Sequence, residues 1–148
     1  MRKQTIEFLD ALATECYQNA VSKGFWEKFH KQVAKGSNPE EIAFIEELWS
    51  SQNLMLATSE LGEAIEAQRK GRGEADWDEY RRELVKVDRE FDANLFEGLI
   101  KDSKGDEIAD AIIRLLQQCA GERIPIGKHI VHKMAYNAQR ERLHGKKF

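Results

Sequence analysis

The sequence predicts an all-α fold, a helical bundle of about five helices that is completed by oligomerisation. Apolar residues recur at steps of three and four along most of the chain, and no alternating strand pattern of useful length occurs. Only two of the 148 residues are proline, which suits a helical protein because proline interrupts helices. This length fits a single domain, residues 1–148, with enough chain to build a core.

The first helix is expected from about Thr5 to Lys23. Its inward positions are apolar at helical spacing, and Gly24 follows as a helix-ending residue. The polar segment from there to Gly36 has no clear pattern. We therefore predict one helix and a connection of undefined structure in this part of the chain.

The second helix is expected to begin at Asn38 and Pro39. Asn38 can accept a hydrogen bond as an N-cap, and proline is favoured in a first helical turn. The periodic pattern continues to Lys70, which is long for one helix. We therefore expect a kink or break near residues 50–51 or 58–59.

The third helix is expected to begin at Asp76 and to end at Gly98. Its apolar residues recur at alternating steps of three and four: Trp77, Tyr80, Leu84, Val87, Phe91 and Leu95. Such a stripe is more typical of a core or a subunit interface than of a ligand site.

Two further helices complete the predicted set. The fourth starts with the Ser103-to-Asp106 capping pattern and ends at Gly121. The fifth opens after Pro125 and reaches about Glu141.

Composition excludes several classes of protein. The net charge of −3 and the isoelectric point near 5.9 argue against nucleic acid as the main partner. No run of eighteen apolar residues suggests a membrane span, and the start of the chain lacks the apolar run of a signal peptide. Cys16 and Cys119 fall at apolar helical positions, so we expect buried free thiols in a cytoplasmic protein.

Two pairs of acids carry the main chemical signal. Glu60 and Glu63 lie three residues apart, as do Glu107 and Asp110, and residues at this spacing share one face of a helix. Both pairs sit in windows that are apolar nearly all round, which is typical of helices packed on several sides. Buried carboxylates need a partner, and a hard cation such as Mg²⁺ prefers oxygen ligands. The sequence therefore predicts a magnesium site formed by four acids, with Mn²⁺ as a substitute.

The end of the chain is strongly basic. Lys133, Asn137, Arg140 and His144 follow one another at steps of four, three and four, so a helix that continued this far would project all four from one side. Their donors suit phosphate oxygens. The alternative is a cationic helix end that only complements the helix dipole.

The chain resembles the MazG-like nucleoside triphosphate pyrophosphohydrolases, which belong to an all-α pyrophosphatase superfamily. The resemblance rests on Ser59–Ala64, Asp106–Ala111 and the segment from Lys133 through Arg140 to Phe148, and it covers most of the chain. It implies Mg²⁺-dependent cleavage of a nucleoside triphosphate, a deoxynucleotide by preference, between the α- and β-phosphates. The products would be a monophosphate and pyrophosphate, as in nucleotide-pool house-cleaning. The charged segment 72–104 is longer than in compact members.

The resemblance also assigns roles by position. Glu60, Glu63, Glu107 and Asp110 would hold the metal, and Lys133, Arg140 and Lys146 would neutralise phosphate charge, with Asn137 orienting it. An acid that the metal does not fully engage could take the proton of the attacking water, with Glu60 or Glu63 as first candidates and Glu66 in reserve. Asn53 lies two turns before Glu60 and is a candidate for contact with the nucleotide.

Three alternatives stay open. A narrower enzyme would act on pyrimidine deoxynucleotides or on a phosphoribosyl nucleotide. A second reading is a nucleotide sensor that binds without turnover, and a third is a helical interaction module without a metal. Oligomerisation is expected, because the second and fourth predicted helices are apolar on more sides than one chain covers. The resemblance implies a homodimer or a homotetramer.

Overall fold

The computed structural model describes residues 2–141 and contains seven α-helices and no strand in that range. They are α1 (Arg2–Ser22), α2 (Glu27–Val33), α3 (Pro39–Arg69), α4 (Trp77–Lys86), α5 (Ala93–Leu99), α6 (Lys104–Gly121) and α7 (Ile126–Ala138). The prediction of an all-α protein is confirmed. The expected number of helices was too low, because one segment left undefined forms a helix and one predicted helix is divided into two.

The chain divides into two compact units. The terminal unit combines the chain up to Glu47 with the chain from Leu116 onward, and the central unit is Leu48–Leu115. Helices α3 and α6 each contribute residues to both units.

In the terminal unit, α1 packs against α7 at very short range. The backbone N–H of Gly127 donates to Oδ1 of Asp10 at 2.8 Å. A Cβ at position 127 would lie only 2.5 Å from the carbonyl oxygen of Ile6. The absent side chain of Gly127 therefore allows the two helices to approach one another, and Asp10 satisfies an N–H of the first turn of α7.

The segment that the pattern left undefined forms α2, and Trp26 anchors it. Trp26 is buried and contacts the rings of Tyr17 and Phe29 edge-on, at centroid distances of 4.9 and 5.5 Å. Gly121, at the end of α6, leaves the space that the Trp26 ring fills. The neighbouring Phe25 is exposed. Trp26 thus anchors this segment against α1 and the end of α6.

Helix α3 begins where the sequence predicts. The side chain of Asn38 accepts from the backbone N–H of Glu41 at 2.8 Å, and the Glu41 carboxylate accepts from the backbone N–H of Ser37 at 2.7 Å. The expected break is absent, since one helix runs from Pro39 to Arg69.

In the central unit, the prediction of a single helix between Asp76 and Gly98 is wrong, because two helices form there. Asp76 caps α4 as predicted, accepting from the backbone N–H of Glu79 at 2.8 Å. The chain then leaves the helix, with Asp88 at a positive φ of 52°. Asp92 starts α5 by accepting from two backbone N–H groups, at 3.0 and 3.1 Å. Two capping aspartates therefore divide the stripe into two short helices.

Helix α6 starts as predicted, and α7 ends early. The hydroxyl of Ser103 accepts from the backbone N–H of Asp106 at 3.2 Å, which caps the first turn of α6. Helix α7 ends at Ala138, so it does not reach Glu141.

The two cysteines are free thiols, as expected, although each is half-buried and not fully buried. Burial raises the pKa of both thiols above the ordinary value, helped by Glu15 beside Cys16 and by Glu122 beside Cys119. Among residues 2–141, no helix has the length and apolar character that a membrane crossing requires.

Candidate functional site

Within the central unit, α3 and α6 run antiparallel and bring two of the predicted acids face to face. Arg114, late in α6, bonds to Glu60 in α3. At the opposite end, the backbone N–H of Lys104 donates to the carbonyl oxygens of Arg72 and Gly73, just beyond α3. These contacts fix the direction of the pair and place the acids of α3 opposite those of α6.

Three carboxylates converge between the two helices. One oxygen from each of Glu60, Glu107 and Asp110 lies within 4.8 Å of the others. Glu60 and Glu107 are buried, with 7% and 8% of their surface exposed, whereas Asp110 is on the exposed side. We refer to these three residues as the carboxylate cluster. Buried carboxylates that face one another are unfavourable without a compensating cation.

Arg114 provides part of that compensation. Its Nε donates to Oε1 of Glu60 at 2.6 Å, and the side chains of the two residues are 32% and 9% exposed. Arg114 follows Asp110 by four residues, so its guanidinium group lies on the same side of α6. Glu60 is therefore an ion-paired carboxylate in this structure.

The surroundings raise the pKa values of two cluster members. Burial is the largest cause for Glu107, followed by the charges of Glu63, Asp106, Glu60 and Asp110. For Asp110, which is exposed as a whole residue, partial desolvation of the carboxyl group is the largest cause of the raised pKa. The charges of Asp106, Glu60 and Glu63 add to it, while Arg114 acts in the opposite direction. The raised pKa values mean that the site disfavours its own negative charge, which is the electrostatic condition that a bound cation relieves.

The fourth predicted acid, Glu63, lies close to the cluster but outside the group of three. It is exposed, and its charge is among the causes that raise the pKa values of Glu107 and Asp110. Glu66, named in reserve as a base, is exposed and pairs with Arg69 at 2.7 Å. Asn53 is half-buried, and its amide donates to the carbonyl oxygen of Trp49 at 3.0 Å, so it turns back on its own helix.

The predicted phosphate-binding residues belong to the end of the chain. Lys133 and Arg140 flank the ring of Tyr136, with Nζ and Cζ at 5.2 and 5.8 Å from its centroid. Asn137 is exposed one turn beyond Lys133. The expectation that one helix presents the whole basic stripe is wrong for Arg140, since α7 ends at Ala138. Lys146 and His144 lie outside the described residues.

The donor set of the cluster fits a hard divalent cation. All its side-chain donors are carboxylate oxygens, and such ions take oxygen ligands. Within the described residues 2–141, no histidine or cysteine joins the group of three. Glu60, Glu107 and Asp110 would hold the ion, with Glu63 beside them.

Sequence reasoning missed Arg114. Part of the signal was present, because Arg114 is the single basic residue in an apolar helical window that also holds two predicted acids. Arg114 stands four residues after a predicted metal ligand, a spacing that places both on one face.

Comparisons of the chain with protein-family models, with curated proteins and with solved structures gave no match. The family resemblance therefore stays a prediction, and the functional proposal rests on the geometry of the carboxylate cluster.

Proposed function

We propose that the protein is a Mg²⁺-dependent nucleoside triphosphate pyrophosphohydrolase that releases a nucleoside monophosphate and pyrophosphate. The observation that carries this proposal is the convergence of Glu60, Glu107 and Asp110 within 4.8 Å between two helices. Acids far apart in the sequence meet at one point, and their own repulsion makes a cation favourable there. Deoxynucleotides are the proposed substrates, as the resemblance implies.

The chemistry that a bound divalent cation supplies is charge screening of the polyphosphate and acidification of an attacking water. The chain's own residues have separate tasks. The cluster holds the ion, and Arg114 keeps the Glu60 carboxylate in place. Glu63 is exposed and lies outside the group of three, so it is the proposed proton acceptor. Lys133, Asn137, Arg140 and Lys146 are proposed to bind phosphate.

The test compares conservative variants of the cluster with a matched control. Pyrophosphate released from a mixture of deoxynucleoside triphosphates should fall at least about 100-fold in Glu107→Gln and in Asp110→Asn, because a metal ligand costs more than the 10- to 100-fold of an outer residue. Glu46→Gln, an exposed acid elsewhere on α3, should leave the rate unchanged. If all three variants were equally active, the carboxylate cluster would not be the metal site of the reaction.

We also propose that two copies pair through the central unit. Six apolar side chains on α3 and α6 are between 37% and 56% exposed: Leu54, Leu61, Ile65, Ile108, Ile112 and Leu115. We call these six residues the apolar face. They expose roughly 500 Å² together, at the upper end of the largest patch on a typical monomer. That area is most of the ~800 Å² that one partner contributes to a standard interface.

The helix geometry makes this face continuous. Leu61 follows Glu60 and Ile108 follows Glu107, so each apolar stripe is rotated about 100° from a buried acid in the same sense. Because α3 and α6 are antiparallel and their acids face one another, the same rotation brings both stripes to one side of the pair. A second copy presents an identical uncharged surface, which a two-fold interface requires.

A further inference from the structure

We propose that Arg114 is a fixed counter-charge that limits the nucleotide-free site to one divalent cation for each chain. This inference rests on the proposed function, because it concerns the same metal site. It assigns a role to a residue that neither the acid motifs nor the resemblance singles out. Arg114 acts through Glu60 and is therefore a positioning residue.

The contact between Arg114 and Glu60 occupies an oxygen that a second ion would need. In two-metal sites the ions lie about 3.5–4 Å apart, close enough for one carboxylate to bridge them with both oxygens. Oε1 of Glu60 accepts from the guanidinium Nε at 2.6 Å. The guanidinium group therefore competes with a metal ion for Oε1 and leaves Oε2 as the freer oxygen of Glu60, which favours one ion over two.

The position of the positive charge leads to the same number. The four predicted acids, Asp106 and Arg114 leave four negative charges, five minus one, around the site. One divalent cation neutralises half of that charge, whereas a second one near Glu60 would lie beside the guanidinium group and be repelled by it. The repulsion is strong because Glu60 is buried, where solvent screens charges less than at the surface. A nucleotide that brings its own phosphates changes this balance, so the inference concerns the protein without nucleotide.

A purely structural role for Arg114 has a different consequence. A buried carboxylate without its partner destabilises a fold strongly, so Arg114 could serve stability alone. In that case a variant that removes the positive charge would unfold more easily but would bind the same number of ions. The number of bound ions separates the two roles, whereas stability does not.

The experiment counts bound Mn²⁺ in the full chain without nucleotide, by electron paramagnetic resonance of the free ion during titration. The wild-type protein should bind one ion. Arg114→Met keeps the unbranched apolar stem of the side chain and removes the charge. This variant should bind two ions, and it should bind the first at least tenfold more tightly than the wild-type protein binds its single ion. Arg114→Lys restores the charge and should return to one ion.

Each outcome decides the proposal. Two ions in the wild-type protein, or a coupled dinuclear signal from it, would overturn the role of Arg114, as would one ion in a folded Arg114→Met or two in Arg114→Lys. If the circular dichroism of Arg114→Met shows that this variant is unfolded, the numbers of ions bound by the wild-type protein and by Arg114→Lys test the proposal. The absence of any bound ion in the wild-type protein has a separate meaning, since it would contradict the metal site of the proposed function.

Discussion

At the scale of single residues, the charges around Glu107 and Asp110 make the site costly for the protein that holds it. Both carboxylates have pKa values raised by burial and by neighbouring acids. A raised pKa in the folded state means that the fold favours the protonated form. The contribution of these groups to stability is therefore complete below their ordinary pKa values of about 4 and is lost as the pH rises through the raised values.

We accordingly predict that Asp110→Asn stabilises the metal-free protein more at pH 7 than at pH 4. The asparagine cannot ionise. It therefore removes an unfavourable charge at pH 7, where Asp110 is ionised, and changes little at pH 4, where Asp110 is largely protonated. The measurement is urea unfolding of both proteins at the two pH values in the presence of a chelator. Glu27 and Asp92 have lowered pKa values and give the opposite trend, but their effect is common to both proteins and cancels. A smaller gain at pH 7 than at pH 4 would contradict the electrostatic account.

At the scale of helices, start signals were the most reliable part of the sequence. Asn38, Asp76 and Ser103 each cap the helix that they were expected to start. The break between α4 and α5 was missed because Val87, Phe91 and Leu95 continue a helical spacing across it. Asp92 lies in the middle of that run and is a strong N-cap, but the spacing of apolar residues does not reveal a capping residue.

The close packing of α1 on α7 gives a stability prediction. Gly127→Ala should reduce the free energy of unfolding by roughly 1–3 kcal/mol, because the new Cβ would lie 2.5 Å from a backbone oxygen of Ile6 that cannot easily move. Denaturant unfolding measures the change.

Gly62→Ala is the matched control, since a Cβ there meets nothing within 4 Å. It should increase the free energy of unfolding by about 0.5–1 kcal/mol, through the higher helix propensity of alanine. If Gly127→Ala were also stabilising, the tight α1–α7 contact would be wrong.

At the scale of the whole molecule, pairing through the apolar face predicts a dimer in solution. Ile112→Glu places a charge in the centre of that face and should shift the mass measured by light scattering from two chains to one, because a buried unpaired charge is unfavourable. Val85→Glu changes a more exposed apolar residue on α4 and should leave the dimer intact. A wild-type monomer at high micromolar concentration would contradict the pairing.

The sequence located the acids of the candidate site better than the groups around them. Spacing predicts which carboxylates share a helical face, and two helices then bring Glu60, Glu107 and Asp110 together. The partner of Glu60 could not be read from spacing, because Arg114 lies 54 residues away and only the packing of α3 against α6 joins them. The predicted helix end near Glu141 was wrong because spacing does not reveal that α7 ends at Ala138.

The most direct test of the central claim is product analysis for each of the eight ordinary ribo- and deoxynucleoside triphosphates, with Mg²⁺ or with a chelator. The account predicts that at least one of them yields its monophosphate and pyrophosphate in equal amounts, only when Mg²⁺ is present. The account would be contradicted if none of the eight were hydrolysed, or if the products were a nucleoside diphosphate and inorganic phosphate.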